Sequence, residues 1–174
     1  RFLTRRNYGH SASWSPDRSR IAFAQLESFK NYSSYSDLYL YDFKSEQVTL
    51  LTQGERLRDP DFHPNGRHLV AVKGGQGQDR LVIYQLDFHR FDTLEWIDKD
   101  LLMSSHRWSP DGARIVVSGW KNGNQDIYLI DMNSKQVRPI HVDKALDLTP
   151  TWSPDGRTIL FASDRTGAYN LFAY

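Results

Sequence analysis

Six histidines and 21 acidic residues are the groups with which this chain of 174 residues could bind a metal or move a proton. The histidines are His10, His63, His68, His89, His106 and His141. No two of them form a ligand motif such as HExxH, and a metal centre needs several ligands converging in a fixed geometry. His63 and His68 flank a tight turn, where capping the hairpin is the expected role. Asp42, Asp87 and Asp131 each close an apolar stretch at the start of a polar turn. Calcium would require clustered oxygen ligands, so these aspartates read as caps on local backbone N–H groups. Cysteine is absent, which removes a thiol nucleophile, disulfides and cysteine-bound metal. No GxSxG elbow is present, so a serine hydrolase centre would have to lie elsewhere. A pair of carboxylates for glycosidic chemistry would need a defined separation, and Asp59 and Asp147 are the candidates for it. The expectation is a protein with no catalytic residue, no metal and no cofactor.

Charge sets a second boundary. Lysine and arginine number 22 against 21 acids, for a net charge of +1. That balance offers no broad basic field, so no nucleic acid partner is expected. No apolar run approaches the roughly 18 residues of a spanning helix, and no membrane insertion is expected. The chain opens on Arg1 with no visible signal peptide, and it reads as a processed or excised piece.

The elements that would carry any site are set by a repeat. WSPDR begins at Trp14, FHPNG at Phe62, and WSPDG at both Trp108 and Trp152. The intervals of 48, 46 and 44 residues are those of a four-stranded propeller blade. Each turn is followed by a short apolar run, as in RIAFA at 20–24, HLVAV at 68–72, RIVVS at 114–118 and TILFA at 158–162. A polar loop and a second run come next, such as DLYLYD at 37–42 and DIYLID at 126–131. These runs are β-branched and aromatic, bounded by turn formers, and apolar on both faces. A strand with two apolar faces belongs to a sheet covered on both sides, as neighbouring blades cover one another. Proline presets the turn, glycine admits the left-handed conformation, and serine and aspartate cap local N–H groups. The leading aromatic is expected to wedge between sheets. Arg18 stands where glycine is expected, so that hairpin should be strained or differently turned.

These copies resemble the TolB-type β-propeller repeat: a Trp-Ser-Pro-Asp-Gly turn, a strand, a polar loop and an Asp-Ile-Tyr strand. Residues 108–131 and 152–174 match closely, 14–42 match apart from Arg18, and 62–87 match loosely. The resemblance implies an all-β propeller of four-stranded antiparallel blades, near 8–52, 56–98, 101–141 and 145–174. It also implies a non-catalytic scaffold, periplasmic or secreted, that binds a protein or peptide partner. The alternative is a gating or accessory propeller of a prolyl-oligopeptidase-type or tricorn-type peptidase.

Register places RFLT at 1–4 as an outer strand, able to complete the fourth blade and close a four-bladed ring. The competing reading is part of a longer propeller. The segments entering each first strand are GHSASW, LRDPDF, SSHRW and DLTPTW, read as loops near a channel mouth. They offer His10, Arg58, Asp59, Ser105, His106, Asp147 and Thr149 as partner-binding residues. The stretch 26–37, with Phe29, Tyr32 and Tyr35, reads as an outsized loop, and Trp120 as an interface anchor or an extra wedge. Asp164 and Arg165 are expected to pair.

Overall fold

A computed structural model describes residues 11–29, 33–75 and 77–174, all of them strand, turn or irregular. Among these residues, fifteen strands form four antiparallel sheets, each a meander in chain order. The first blade comprises β1 (Ala12–Trp14), β2 (Arg20–Phe29), β3 (Ser33–Asp42) and β4 (Gln47–Leu50). The second comprises β5 (Leu57–Phe62), β6 (His68–Gly75), β7 (Gln78–Gln85) and β8 (Arg90–Thr93). The third comprises β9 (Leu102–Trp108), β10 (Arg114–Lys121), β11 (Asn124–Asp131) and β12 (Val137–Pro139). The fourth has three strands, β13 (Asp147–Trp152), β14 (Ile159–Ser163) and β15 (Asn170–Ala173). This is the all-β blade architecture that the spacing predicts. The segment 1–4, expected to supply an outer strand, lies outside the described residues.

The chain divides into two compact units, Arg1–Leu94 and Glu95–Tyr174, each holding two blades. In the first unit, Ala22, Ala24 and Leu38 of blade 1 pack with Phe62, Leu69, Ala71, Val82 and Tyr84 of blade 2. In the second, Val116, Ile127 and Leu129 of blade 3 pack with Ile159 and Phe161 of blade 4, with Trp152 against them. Phe62 and Trp152 are therefore wedges between neighbouring sheets. A guanidinium from the preceding blade covers each, Arg20 over Phe62 at 5.8 Å and Arg114 over Trp152 at 4.9 Å. Trp14 departs from the expectation. It pairs with Ile21, on the opposite face of blade 1 from Ala22 and Ala24, stacks on Phe43 at 5.2 Å, and remains 54% exposed.

The repeated phrase builds the same turn each time. Ser15, His63, Ser109 and Ser153 accept the N–H three residues on through their carbonyls. In the three serine copies the hydroxyl also donates to the turn aspartate, at 2.6 Å in the first and 2.5 Å in the last two. In the remaining copy the ring takes the acceptor role, with Asn65 N–H donating to His63 Nδ1 at 3.0 Å. Gly66, Gly112 and Gly156 sit at φ of 69°, 72° and 69°, and Arg18 adopts φ 60° in the same place. The first hairpin is therefore strained and not differently turned.

Four expected loops are strands. Residues 26–29 and 33–37 extend the β2–β3 ladder, which pairs from Arg20↔Asp42 to Phe29↔Ser33. Tyr32 lies outside the described residues. LRDPDF coincides with β5, DLTPTW with β13, and SSHRW lies within β9. Proline fits in β5 and β13 because these strands, like β9, are bulged, with register breaks between Arg58 and Asp61, between Leu148 and Thr151, and opposite Val116/Ser118.

Candidate functional site

The bulges bring the expected binding residues into one pattern. Three residues before each leading aromatic stand Asp59, Ser105 and Thr149, at φ of 54°, 52° and 47°. Left-handed backbone at a residue other than glycine is costly, and here three blades repeat it at one register position with a polar side chain. Ser11 Oγ donates to Asp59 Oδ1 at 3.0 Å, Ser105 is half-buried, and Thr149 is exposed.

The next register position holds Pro60, His106 and Pro150, all buried. His106 thus fills a slot that proline fills in blades 2 and 4, and it is 0% exposed. A partner cannot reach it, which corrects the expectation of a histidine at a loop surface. Asp147 is corrected likewise. Its side chain is 2% exposed, and Arg165 Nη2 donates to both carboxylate oxygens at 3.0 and 2.9 Å. Arg165 also lies over Phe161 and Phe172, so this ion pair is part of the packing of blade 4. The expected Asp164–Arg165 pair is replaced by this one, and Asp164 Oδ1 instead accepts Leu146 N–H at 2.8 Å. His10 lies outside the described residues. Trp120 is 43% exposed at a strand end beside the Asn122–Gly123 turn, which argues against a wedge.

Asp42 and Asp131 are occupied by their turns. Asp42 Oδ1 accepts from Lys44 N–H, Ser45 N–H and Ser45 Oγ, and Asp131 Oδ1 accepts from Asn133 and Ser134 in the same way. These donors hold both carboxyls below the usual range. The Ser15 hydroxyl does the same for Asp17, lowering it to about 2. No group of three or more histidines and acids among the described residues is placed to hold a metal ion.

Arg58 sits near the start of β5, where Nη2 meets Asp79 Oδ2 at 2.9 Å and Nη1 is buried without a hydrogen-bond partner. It adjoins a cleft of about 400 Å³ in the first unit, lined by Glu55, Arg56, Lys73, Arg80 and the glycines 54, 74 and 75. Lys73 Nζ pairs with Glu55 at 2.7 Å and lies over Phe91 at 4.5 Å. The Arg56 guanidinium lies over the Tyr35 ring at 4.2 Å. Sequence reasoning missed this cluster because it comes from one connection and one hairpin that are separate in the chain. Strand register supplies the missing signal. Ladder pairing makes Arg80 the counterpart of Asp37, Asp126 and Asn170, and Arg56 the counterpart of Leu102 and Leu146.

Comparison with known proteins agrees with this architecture. Residues 60–174 match the family described as TolB beta propeller domain. A protein TolB homolog of Chlorobium luteolum is 24% identical over 143 residues, covering 82% of this chain and 32% of its own length. A Tol-Pal system protein TolB of Desulfotalea psychrophila is 31% identical over 72 residues, 41% of this chain and 16% of that protein. The crystal structure of TolB from Acinetobacter baumannii superposes with a TM-score of 0.80 at 21% identity, covering 96% of this chain and 41% of that one. The chain spans about a third of the first of these relatives. The chain belongs to the TolB beta propeller domain family.

Proposed function

We propose that this chain is a non-catalytic binding propeller that engages a protein partner through the bulged first strands of its blades, at Arg58 and Asp59 in the first unit and at Ser105 and Thr149 in the second. The observation that carries this reading is the repeated bulge, in which strained backbone holds a polar residue at one register position in three blades. Bulges re-aim side chains, and a rigid sheet beneath them spares the partner the entropy of ordering a loop. Relatives named as Tol-Pal system proteins favour a partner in the cell envelope and a periplasmic or secreted location for this chain. The turn aspartates and the buried Asp147 are committed to structure, which favours binding over chemistry.

The test is site-specific photocrosslinking in the source cell. A benzophenone amino acid is placed at Arg58, Ser105 or Thr149, with Asn65 and Asn133 at the opposite blade ends as controls. Discrete protein adducts from the first set and none from the second are expected. Adducts from neither set, or equally from both, would refute this face as the docking site.

A further inference from the structure

We infer that the cleft of blade 2 is a subsite for an extended acidic peptide segment, whose carboxylates would meet Arg56 and Arg80. This deepens the docking reading above and rests on it. The first support is charge. Of the four cations around this cleft, Lys73 is paired with Glu55 and Arg58 with Asp79, each through a single carboxylate. Arg56 and Arg80 have no carboxylate partner among the described residues. Arg80 donates only to the neutral Gln78 Oε1 at 2.7 Å and to the Asp79 carbonyl at 3.3 Å. Two guanidinium forks with open donors suit carboxylates, which accept two parallel N–H bonds.

The second support is the comparison between blades. Blade 1 uses Asp37 at the position of Arg80 to cap its outer connection, accepting from Thr52 Oγ1 at 2.9 Å, Gly54 N–H at 2.7 Å and Glu55 N–H at 3.1 Å. An arginine cannot accept those bonds. Blade 2 has given up a structural acceptor for a cation, and Arg56 replaces a leucine of blades 3 and 4, with no ion pair gained among the described residues.

The third support is the floor. Gly74 and Gly75 end β6, and neither has positive φ. A Cβ built on either would meet nothing closer than 3.9 Å. Neither the backbone nor the packing of the chain requires glycine there. Glycine without an internal reason marks a place where another backbone approaches closely. A nucleic acid strand fits the cleft less well, because it carries a phosphate at every nucleotide, whereas an extended peptide with alternating acidic side chains can meet the two arginines and set uncharged side chains against Glu55 and Asp79.

The experiment is calorimetric titration of the chain with an acetylated, amidated octapeptide of alternating Glu and Val. Its Lys-for-Glu counterpart and a 20-base-pair DNA duplex serve as comparators. The acidic peptide is expected to bind and the lysine peptide not to, with affinity falling as salt rises from 50 to 200 mM. Arg56→Gln and Arg80→Gln should each weaken binding about tenfold, the loss of one charge-assisted contact. Gly75→Ala should weaken it similarly while leaving the thermal midpoint of the free chain unchanged. Equal binding of both peptides, tighter binding of the duplex, or unchanged affinity in both arginine variants would overturn the assignment. Crosslinked adducts from Ser105 and Thr149 that persist in the Arg56→Gln/Arg80→Gln chain would remove this subsite and leave the docking face standing.

Discussion

Thr52 is the residue whose replacement most directly tests the equivalence of the blades. Its hydroxyl is buried at the outer connection of blade 1, donating to Asp37 Oδ1 at 2.9 Å and accepting from Leu38 N–H at 3.0 Å. Thr52→Val keeps the shape and removes both bonds. The Leu38 N–H would be left buried without this acceptor, which costs about 1–3 kcal/mol. Asp37 would keep Gly54 N–H and Glu55 N–H, so its loss is one charge-assisted bond, about 1.5 kcal/mol. The expected destabilisation is about 3 kcal/mol in urea unfolding followed by tryptophan fluorescence at pH 7. Blade 3 already stands in the deprived state. Ile140 N–H reaches Ile127 O as Leu51 N–H reaches Leu38 O, so His141 occupies the place of Thr52. His141 is exposed and paired with Asp143, and the buried Asp126 has an Oδ1 with no donor. His141→Thr should therefore raise stability by about 1 kcal/mol as it supplies the missing hydroxyl, whereas His141→Ala should not. A Thr52→Val chain within 0.5 kcal/mol of the parent, or a His141→Thr chain no better than His141→Ala, would refute the reasoning.

Three further outcomes follow from the same geometry. Gly119→Ala should cost about 1–3 kcal/mol by denaturant midpoint, because the new methyl would stand 2.6 Å from Leu101 Cδ1 and 2.8 Å from Tyr128 Cδ2. Arg18→Gly should stabilise by about 1 kcal/mol, the left-handed strain relieved less the added freedom of the unfolded chain; an unchanged or lower midpoint would contradict the strained turn. The pH dependence should show two opposite signs. The carboxyls of Asp17, Asp111 and Asp155 are lowered by their serine donors, so the stability they contribute is present above the ordinary carboxylate value and lost as pH falls toward about 2, the value reached at Asp17. Burial raises Asp126, so its contribution runs the other way, falling as pH rises from the ordinary carboxylate value to its raised one. Asp155→Asn should blunt the acid loss and Asp126→Asn the opposing slope, both measured as urea midpoints from pH 2 to pH 7.

Most of the fold was legible because hairpin chemistry and two-sided apolar strands are local signals repeated at one interval. What escaped was set by pairing between strands. LRDPDF and DLTPTW carry proline, aspartate and threonine, which locally favour turns, and only a bulged ladder turns them into inner strands. The tyrosine and serine run at 33–37 looks like a flexible loop, yet continuous pairing with β2 makes it a strand. Trp14 carries the same phrase as Trp108 and Trp152, and nothing in that phrase says which face of its sheet is covered. The site residues were chosen by position in the repeat, which located Asp59, Ser105 and Thr149 on one register line. Position alone could not reveal that His106 fills a proline slot or that Arg165 claims Asp147.

Once register is known, each departure of one blade from its sisters can be sorted by what the chain does with it. Arg18 departs from glycine and the backbone keeps the glycine conformation at a cost. His141 departs from threonine and leaves a buried oxygen without a donor. His106 departs from proline and is absorbed into the core. Each of these is accounted for within the fold, as strain, as a lost bond or as packing. Arg56 and Arg80 are different in kind. They replace a leucine and a capping aspartate, make no ion pair among the described residues, and flank two glycines that neither conformation nor packing requires. Repetition holds a residue at a position for the sake of the sheet. A cation that abandons that purpose and gains no carboxylate among the described residues is explained by a partner outside the chain, and the open donors give that partner the chemistry of a carboxylate.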